Sequence, residues 1–158
     1  MSEITVGAPA PDFDLPTDGP ARVRLSSFRG KTVVLYFYPK DDTSGCTSEA
    51  IAFSEKTDVF TALGAVVVGV SRDTAASHAK FRKKHSLSVT LAADDEGAAT
   101  EAYGVWVEKS MYGRSYMGIE RATFLIDGTG VVRQVWRKVK VGGHADAVLD
   151  AVKALNAS

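Results

Sequence analysis

The chain alternates between short apolar runs and amphipathic stretches, and their order sets out its organisation. Residues 32–38, "TVVLYFY", are β-branched, aliphatic or aromatic throughout, which predicts a strand buried on both faces. Residues 65–70, "AVVVGV", predict a second strand of the same kind. Between them Cys46, Ala50, Phe53 and Phe60 recur at spacings of four, three and seven. That rhythm predicts one amphipathic helix from residue 46 to about residue 64, where a glycine ends it. "SRD" then leads into a capped helix over 74–85. Leu87, Val89 and Leu91 alternate as in a short strand, and residues 98–103 fit a small helix. "RATFLID" (121–127) and "VVRQVWR" (131–137) read as strands joined by "GTG", a hairpin signal. Ala147, Val148, Ala151, Val152 and Leu155 then mark one face of a C-terminal helix.

Strand, helix, strand and helix in succession imply a parallel pair with a helical crossover, to which the hairpin adds an antiparallel edge. The opening "GAPAPDFDLPTDGPARVRLSSFRGK" is rich in Pro and Gly and is expected to hold loops with short strands around 13–15 and 23–25. The expected class is therefore α/β: a thioredoxin-like fold, a mixed β-sheet flanked by helices, with an N-terminal β extension. No repeat, linker or low-complexity tract divides the 158 residues, so a single domain over 1–158 is expected.

Composition narrows the partners. Nineteen basic and nineteen acidic residues cancel, leaving no field to gather nucleic acid or anionic lipid. The longest apolar runs are too short to cross a membrane, and "MSEITVGAPAPDF" lacks the basic-then-apolar order of a secretory signal. One cysteine cannot build an internal disulfide framework and suits a reducing cytoplasm. Neither a nucleic-acid partner nor a membrane is expected, and a monomer is.

That cysteine, Cys46, lies in "LYFYPKDDTSGCTSEA" (35–50), where a buried strand passes through a Pro-Asp-Thr-Gly turn into a helix. A thiol reacts as the thiolate, which the unpaired N–H groups and positive dipole end of a helix start favour. Thr43 stands three residues earlier, where a disulfide-shuttling C-x-x-C motif would have its second cysteine. A hydroxyl in that place cannot pair with sulfur but can hydrogen-bond a small oxygen-bearing substrate. Read alone, Cys46 is either an inert helix-start residue or such a nucleophile.

The segment resembles the active-site motif of the peroxiredoxins, P-x-x-x-T-x-x-C at Pro39, Thr43 and Cys46. Within that family it is most similar to the PrxQ, or bacterioferritin-comigratory protein, type. "APAPDFDLP", "SFRGKTVVLYFYP", "AYGVWVEKSMYGRSYMGIERATFLID" and "KVKVGGHADAVL" extend the likeness across nearly the whole chain, in order. The resemblance implies a thiol peroxidase reducing hydrogen peroxide and organic hydroperoxides, with antioxidant defence as its role and no cofactor or metal. It makes Cys46 the peroxidatic nucleophile, Thr43 the hydroxyl that positions peroxide, and Pro39 a shield over the pocket. It makes Arg121 the cation beside the thiolate and Glu49 an acid that orients that arginine or simply sits solvated in the first helical turn. Tyr38 is expected as a pocket wall, and so are Trp106 and Tyr103, for which packing into the core is the alternative.

Two departures from the family pattern bear on mechanism. Ser44 replaces a common proline, so the turn before Cys46 is freer. Ile51 stands where many relatives have a resolving cysteine, and no later cysteine replaces it. A sulfenic acid at Cys46 must then meet a thiol from another molecule: thioredoxin, glutaredoxin, a mycoredoxin or a low-molecular-weight thiol. The alternatives are a cysteine hydrolase with a His base and a thioredoxin-fold binding module or holdase without turnover. "RGKT" (29–32) lacks the earlier glycine of a P-loop. His78 and His85 lie about 10 Å apart along a helix axis, and with His144 they are expected to be solvated or capping. "NAS" at 156–158 matches a glycosylation sequon by chance.

Overall fold

The computed structural model describes residues 4–157. Strands β1 (Asp14–Pro16) and β2 (Arg22–Arg24) pair antiparallel as a two-stranded extension. They are followed by β3 (Thr32–Phe37), α1 (Ser44–Glu55), α2 (Thr57–Ala62), β4 (Ala65–Ser71) and α3 (Ala75–His85). Then come β5 (Thr90–Ala93), α4 (Ala98–Ala102), the hairpin β6 (Trp106–Met111) and β7 (Arg114–Ile119), β8 (Ala122–Ile126), β9 (Val132–Trp136) and α5 (His144–Ala157).

The central sheet has the order β5-β4-β3-β8-β9. β3 runs parallel to β4 and antiparallel to β8, so the expected mixed sheet is what forms. Every residue of β3 is buried, because α1, α2, α3 and α5 cover one face while the N-terminal β1–β2 extension and the segment around α4 cover the other. Val33, Leu35 and Phe37 point into one apolar layer with Phe13, Tyr103 and Phe124. Val34, Tyr36 and Tyr38 point into the other with Cys46, Phe53, Phe60 and Val148. Gly69 makes that second layer possible, since a Cβ there would come within 2.6 Å of the Tyr36 ring.

The single helix expected over 46–64 is two. α1 ends at Glu55, Lys56 leaves helical geometry at φ −103°, ψ 4°, and α2 begins at Thr57. Across the break Phe53 and Phe60 still share one apolar layer, their ring centroids 6.1 Å apart. The strand expected from Leu87, Val89 and Leu91 begins only at Thr90.

The β6–β7 hairpin was not foreseen. Its strands are mostly half-buried or exposed, so no apolar alternation marks them. What marks it is the turn, with Tyr112 at φ 53° and Gly113 at φ 76°, the left-handed pair that suits a tight hairpin. Among the described residues no helix is long and apolar enough to cross a membrane.

Candidate active site

The C-terminal end of β3, the central strand, feeds through residues 38–43 into α1, and this places Cys46 in the first turn of a helix. Its side chain is nonetheless buried, with 1% of the residue exposed. Thr43 is the N-cap residue but does not cap with its side chain. Its hydroxyl instead donates to the Lys40 carbonyl at 2.9 Å. That bond uses the proton and leaves both oxygen lone pairs as acceptors on an exposed side chain. The first α-helical bond joins Thr47 N–H to the Thr43 carbonyl at 2.8 Å. The amides of Ser44, Gly45 and Cys46 therefore precede the helical ladder and face its open end.

Arg121 reaches this turn from far along the chain. β8 lies antiparallel to β3 with Ala122 opposite Phe37, so the residue before β8 falls beside the end of β3. The Arg121 carbonyl accepts from Val139 N–H at 3.0 Å, which fixes its backbone. Its Nη2 lies 3.4 Å from Cys46 Sγ, and its Nη1 lies 2.6 Å from Glu49 Oε1. Sulfur, guanidinium and carboxylate thus form one line of contact. Gly45 makes room for it, because a Cβ there would stand 3.1 Å from Arg121 Nη2. Sequence reasoning passed over this glycine, although its place before the cysteine was visible.

Glu49 is buried, not solvated in the first helical turn. Its Oε2 has no hydrogen-bond partner among the described residues. Burial pushes the Glu49 carboxyl up to about 7, against the pull of Arg121. Burial also opposes the charge on Arg121, but Glu49 and Cys46 outweigh it and hold the guanidinium more firmly protonated than usual. The carboxyl is the member of the pair that titrates near neutrality; the arginine stays charged.

A cleft of about 340 Å³ opens beside the site, lined by Pro39, Lys40, Arg72, Trp106, Lys109 and Tyr116 among others. Trp106 lines this cleft, although Cys46, Thr43 and Arg121 do not, and the Arg72 guanidinium sits 3.4 Å above its ring. Tyr38 does not line it. It is 1% exposed and packs in the Cys46 layer, where its hydroxyl donates to Asp41 Oδ1 at 2.6 Å. The side chain follows the alternation of β3 and points away from the cleft. Tyr103 is wholly buried core, with its hydroxyl on the Pro11 carbonyl at 2.6 Å. Lys109, carried on the unforeseen hairpin, adds a cation to the cleft. Partial burial and the nearby charge of Arg121 hold its amine below the ordinary value.

His78 and His144 are buried, not solvated. His78 is fully buried, with Nδ1 2.7 Å from Asp41 Oδ2 and Nε2 3.0 Å from the Ala92 carbonyl. His144 is buried beneath Phe53 and Trp136, with Nε2 2.8 Å from Thr123 Oγ1. His85 Nε2 meets Asp42 at 2.9 Å. Asn156 of the sequon donates to the Leu63 carbonyl at 2.7 Å, and Ser158 lies outside the described residues.

A thioredoxin-like sheet that presents a helix-start cysteine to an arginine belongs to the thiol peroxidases. Residues 6–135 match the AhpC/TSA family. Peroxiredoxin Bcp of Bacillus subtilis is 47% identical over 153 residues, covering 97% of this chain and 98% of that protein. Peroxiredoxin Bcp of Xanthomonas campestris is 46% identical over 156 residues, covering 98% of each. A solved structure of the Xanthomonas campestris bacterioferritin comigratory protein, whose alkyl peroxide reduction it addresses, superposes with TM-score 0.87 at 44% identity, covering 91% of this chain and 92% of that one. A mutant of Xylella fastidiosa PrxQ superposes with TM-score 0.92 at 37% identity, covering 98% of both chains. The chain belongs to the AhpC/TSA family, on its peroxiredoxin Bcp, or PrxQ, branch.

Proposed function

We propose that Cys46 is the peroxidatic nucleophile of a one-cysteine peroxidase that takes hydrogen peroxide and organic hydroperoxides. The contact of Arg121 Nη2 with Cys46 Sγ, 3.4 Å at the open end of α1, carries this reading. The thiolate attacks one peroxide oxygen, the O–O bond breaks, and the electron pair leaves on the other oxygen, which takes up a proton to become water or an alcohol. Thr43 Oγ1, with its proton committed to Lys40, accepts from the peroxide O–H and aims it. Arg121 and the leading amides of α1 stabilise the charge that grows on the departing oxygen. Pro39 walls the approach, and Glu49 holds Arg121 in line.

The product is a sulfenic acid on the only cysteine of the chain. An external thiol condenses with it, releasing water and leaving a mixed disulfide. A second thiol then breaks that bond, freeing the Cys46 thiolate and a disulfide product. Thioredoxin, glutaredoxin, a mycoredoxin or a small thiol each meets this chemistry. A lone reduced thiol suits the cytoplasm, and the catalytic unit is one domain over 1–158 acting as a monomer. Peroxide consumption measured with a panel of these reductants, against Cys46→Ser as blank, tests the reading. Turnover in a folded Cys46→Ser protein, or no turnover of the native chain with any donor, overturns it.

A further inference from the structure

The segment that leads into Cys46 is tied to a helix far from it in sequence. Asp41 is buried, and its carboxylate accepts from three side chains: Tyr38 Oη at 2.6 Å, Ser77 Oγ at 2.8 Å and, 2.7 Å away, His78 Nδ1. The backbone N–H of Asp41 donates to Asp73 Oδ2 at 2.8 Å, and Ser71 Oγ donates to that same oxygen at 2.6 Å. The next residue, Asp42, sits at φ 60°, a left-handed conformation that aspartate tolerates. That twist sends its carboxylate the other way, to Lys84 Nζ at 2.7 Å and His85 Nε2 at 2.9 Å. Ser77 and His78 lie two helical turns before Lys84 and His85 on α3. Two consecutive aspartates are therefore gripped by two matching pairs of residues on one helix.

The two grips differ in strength. Lys84 and Asp42 are exposed at 62% and 43% of their side chains, and an ion pair so placed contributes little. The His78 and Asp41 side chains are only 0% and 4% exposed, and there the loss of one partner leaves a desolvated polar group unpaired. His78 is itself anchored, because its Nε2 faces the Ala92 carbonyl of β5. The inner grip links β5, α3 and the residues ahead of Cys46 into one rigid chain of contacts.

We propose that His78, Ser77 and Asp41 are positioning residues for the peroxide step. They hold residues 39–43 so that Thr43 Oγ1 and the first amides of α1 converge on the approach to Cys46 Sγ. None of them touches the reacting atoms. This rests on Cys46 as nucleophile, and it divides the cycle in two. Attack on peroxide needs the held geometry, because donors and acceptor must be in place together. Reduction of the sulfenic acid needs the opposite, because a sulfur in a residue only 1% exposed must be uncovered for an incoming thiol.

The test uses the full chain with Ser77→Ala, which removes one donor, and His78→Gln, which removes the inner anchor. Amide hydrogen exchange at Asp41 and Thr47 is compared with exchange at Leu35 in β3. Both variants are expected to speed exchange at Asp41 and Thr47, by about tenfold for one buried hydrogen bond lost, with Leu35 unchanged in Ser77→Ala. In single turnover, oxidation of Cys46 by hydrogen peroxide slows about as much, while reduction of the sulfenic acid by dithiothreitol is unchanged or faster. Should His78→Gln not fold, Ser77→Ala decides. Unchanged exchange at Asp41 and Thr47 in folded Ser77→Ala overturns the proposal, as does equal slowing of both half-reactions. If peroxide fails to oxidise native Cys46, the peroxidase reading fails separately, and the exchange result still decides whether α3 holds the segment.

Discussion

Arg121 touches Cys46 Sγ with one terminal nitrogen, at 3.4 Å, and Glu49 Oε1 with the other, at 2.6 Å. The guanidinium is a rigid planar fork, so fixing Nη1 on the carboxylate fixes where Nη2 points. Arg121→Met keeps much of the apolar stem and removes both contacts. Stopped-flow oxidation of Cys46 by hydrogen peroxide is expected to slow by a factor of about 10² or more, as for loss of a charge-stabilising donor. Arg121→Lys is expected to recover only part of this, because an ammonium cannot hold both partners in one plane. A folded Arg121→Met protein oxidised at the native rate would remove Arg121 from the chemistry.

Gly45 is a quieter determinant. It is in α1, so alanine there suits the helix better by about 0.5–1 kcal/mol. The added methyl would nevertheless lie 3.1 Å from Arg121 Nη2, which forces the guanidinium to shift by a few tenths of an ångström. Gly45→Ala is therefore expected to melt no lower than the native chain yet to react severalfold more slowly with peroxide. Melting by calorimetry and oxidation by stopped flow together check it. A variant that is faster, or equally fast, shows that Arg121 has slack at this point.

Glu49 and His144 act on stability in opposite senses over nearly the same pH range. The Glu49 carboxyl moves up from 4.5 to about 7 on burial. Between those values the folded chain keeps a proton that the unfolded chain has released, so this group's contribution is lost as pH rises through about 7. The His144 imidazole moves down from 6.5 to about 4, through burial first and the charge of Arg121 second. There the unfolded chain binds the extra proton, so this contribution is present above 6.5 and lost as pH falls through about 4. The two slopes oppose each other between 4.5 and 6.5. Glu49→Gln is expected to make the melting temperature climb with pH across that window relative to the native chain, and His144→Gln to make it fall. Parallel pH curves for native chain and variants would show that neither group is shifted on folding.

How much of this the sequence discloses depends on whether a residue's partner is local. β3 and β4 were legible because their apolar runs are uninterrupted, and the start of α1 because Thr43 and Cys46 share one turn. The order of strands put Arg121 near the site only through its family motif, since the contact spans 75 residues and exists because Ala122 pairs with Phe37. The break at Lys56 escaped detection because the spacing of Phe53 and Phe60 fits one continuous helix as well as two. The β6–β7 hairpin escaped because its exposed faces need no alternation, and Lys109 escaped with it. His78 was misread because its partner is distant: nothing local reveals Asp41, 37 residues earlier in the chain.

The lone cysteine fixes the fate of the oxidised enzyme. In the proposed cycle sulfenic acid forms on Cys46, and no second cysteine in the chain can condense with it, so no intramolecular disulfide would protect it. The sulfur is held in a residue 1% exposed, so a Cys46–Cys46 bridge requires two chains to uncover their sites at once. A small peroxide reaches the oxidised sulfur more easily than a second protein does. When donor thiol is scarce, over-oxidation to sulfinic acid is expected to compete with rescue, rising with peroxide dose. Intact mass spectrometry of peroxide-treated protein should show a gain of one oxygen and then two, with monomer prevailing on non-reducing gels. Donor thiol added at the first stage should restore the native mass; added at the second, it should not. Rapid and near-complete conversion to a Cys46-linked dimer that donor thiols readily reduce would instead make the disulfide a working intermediate, and the one-cysteine cycle would fall.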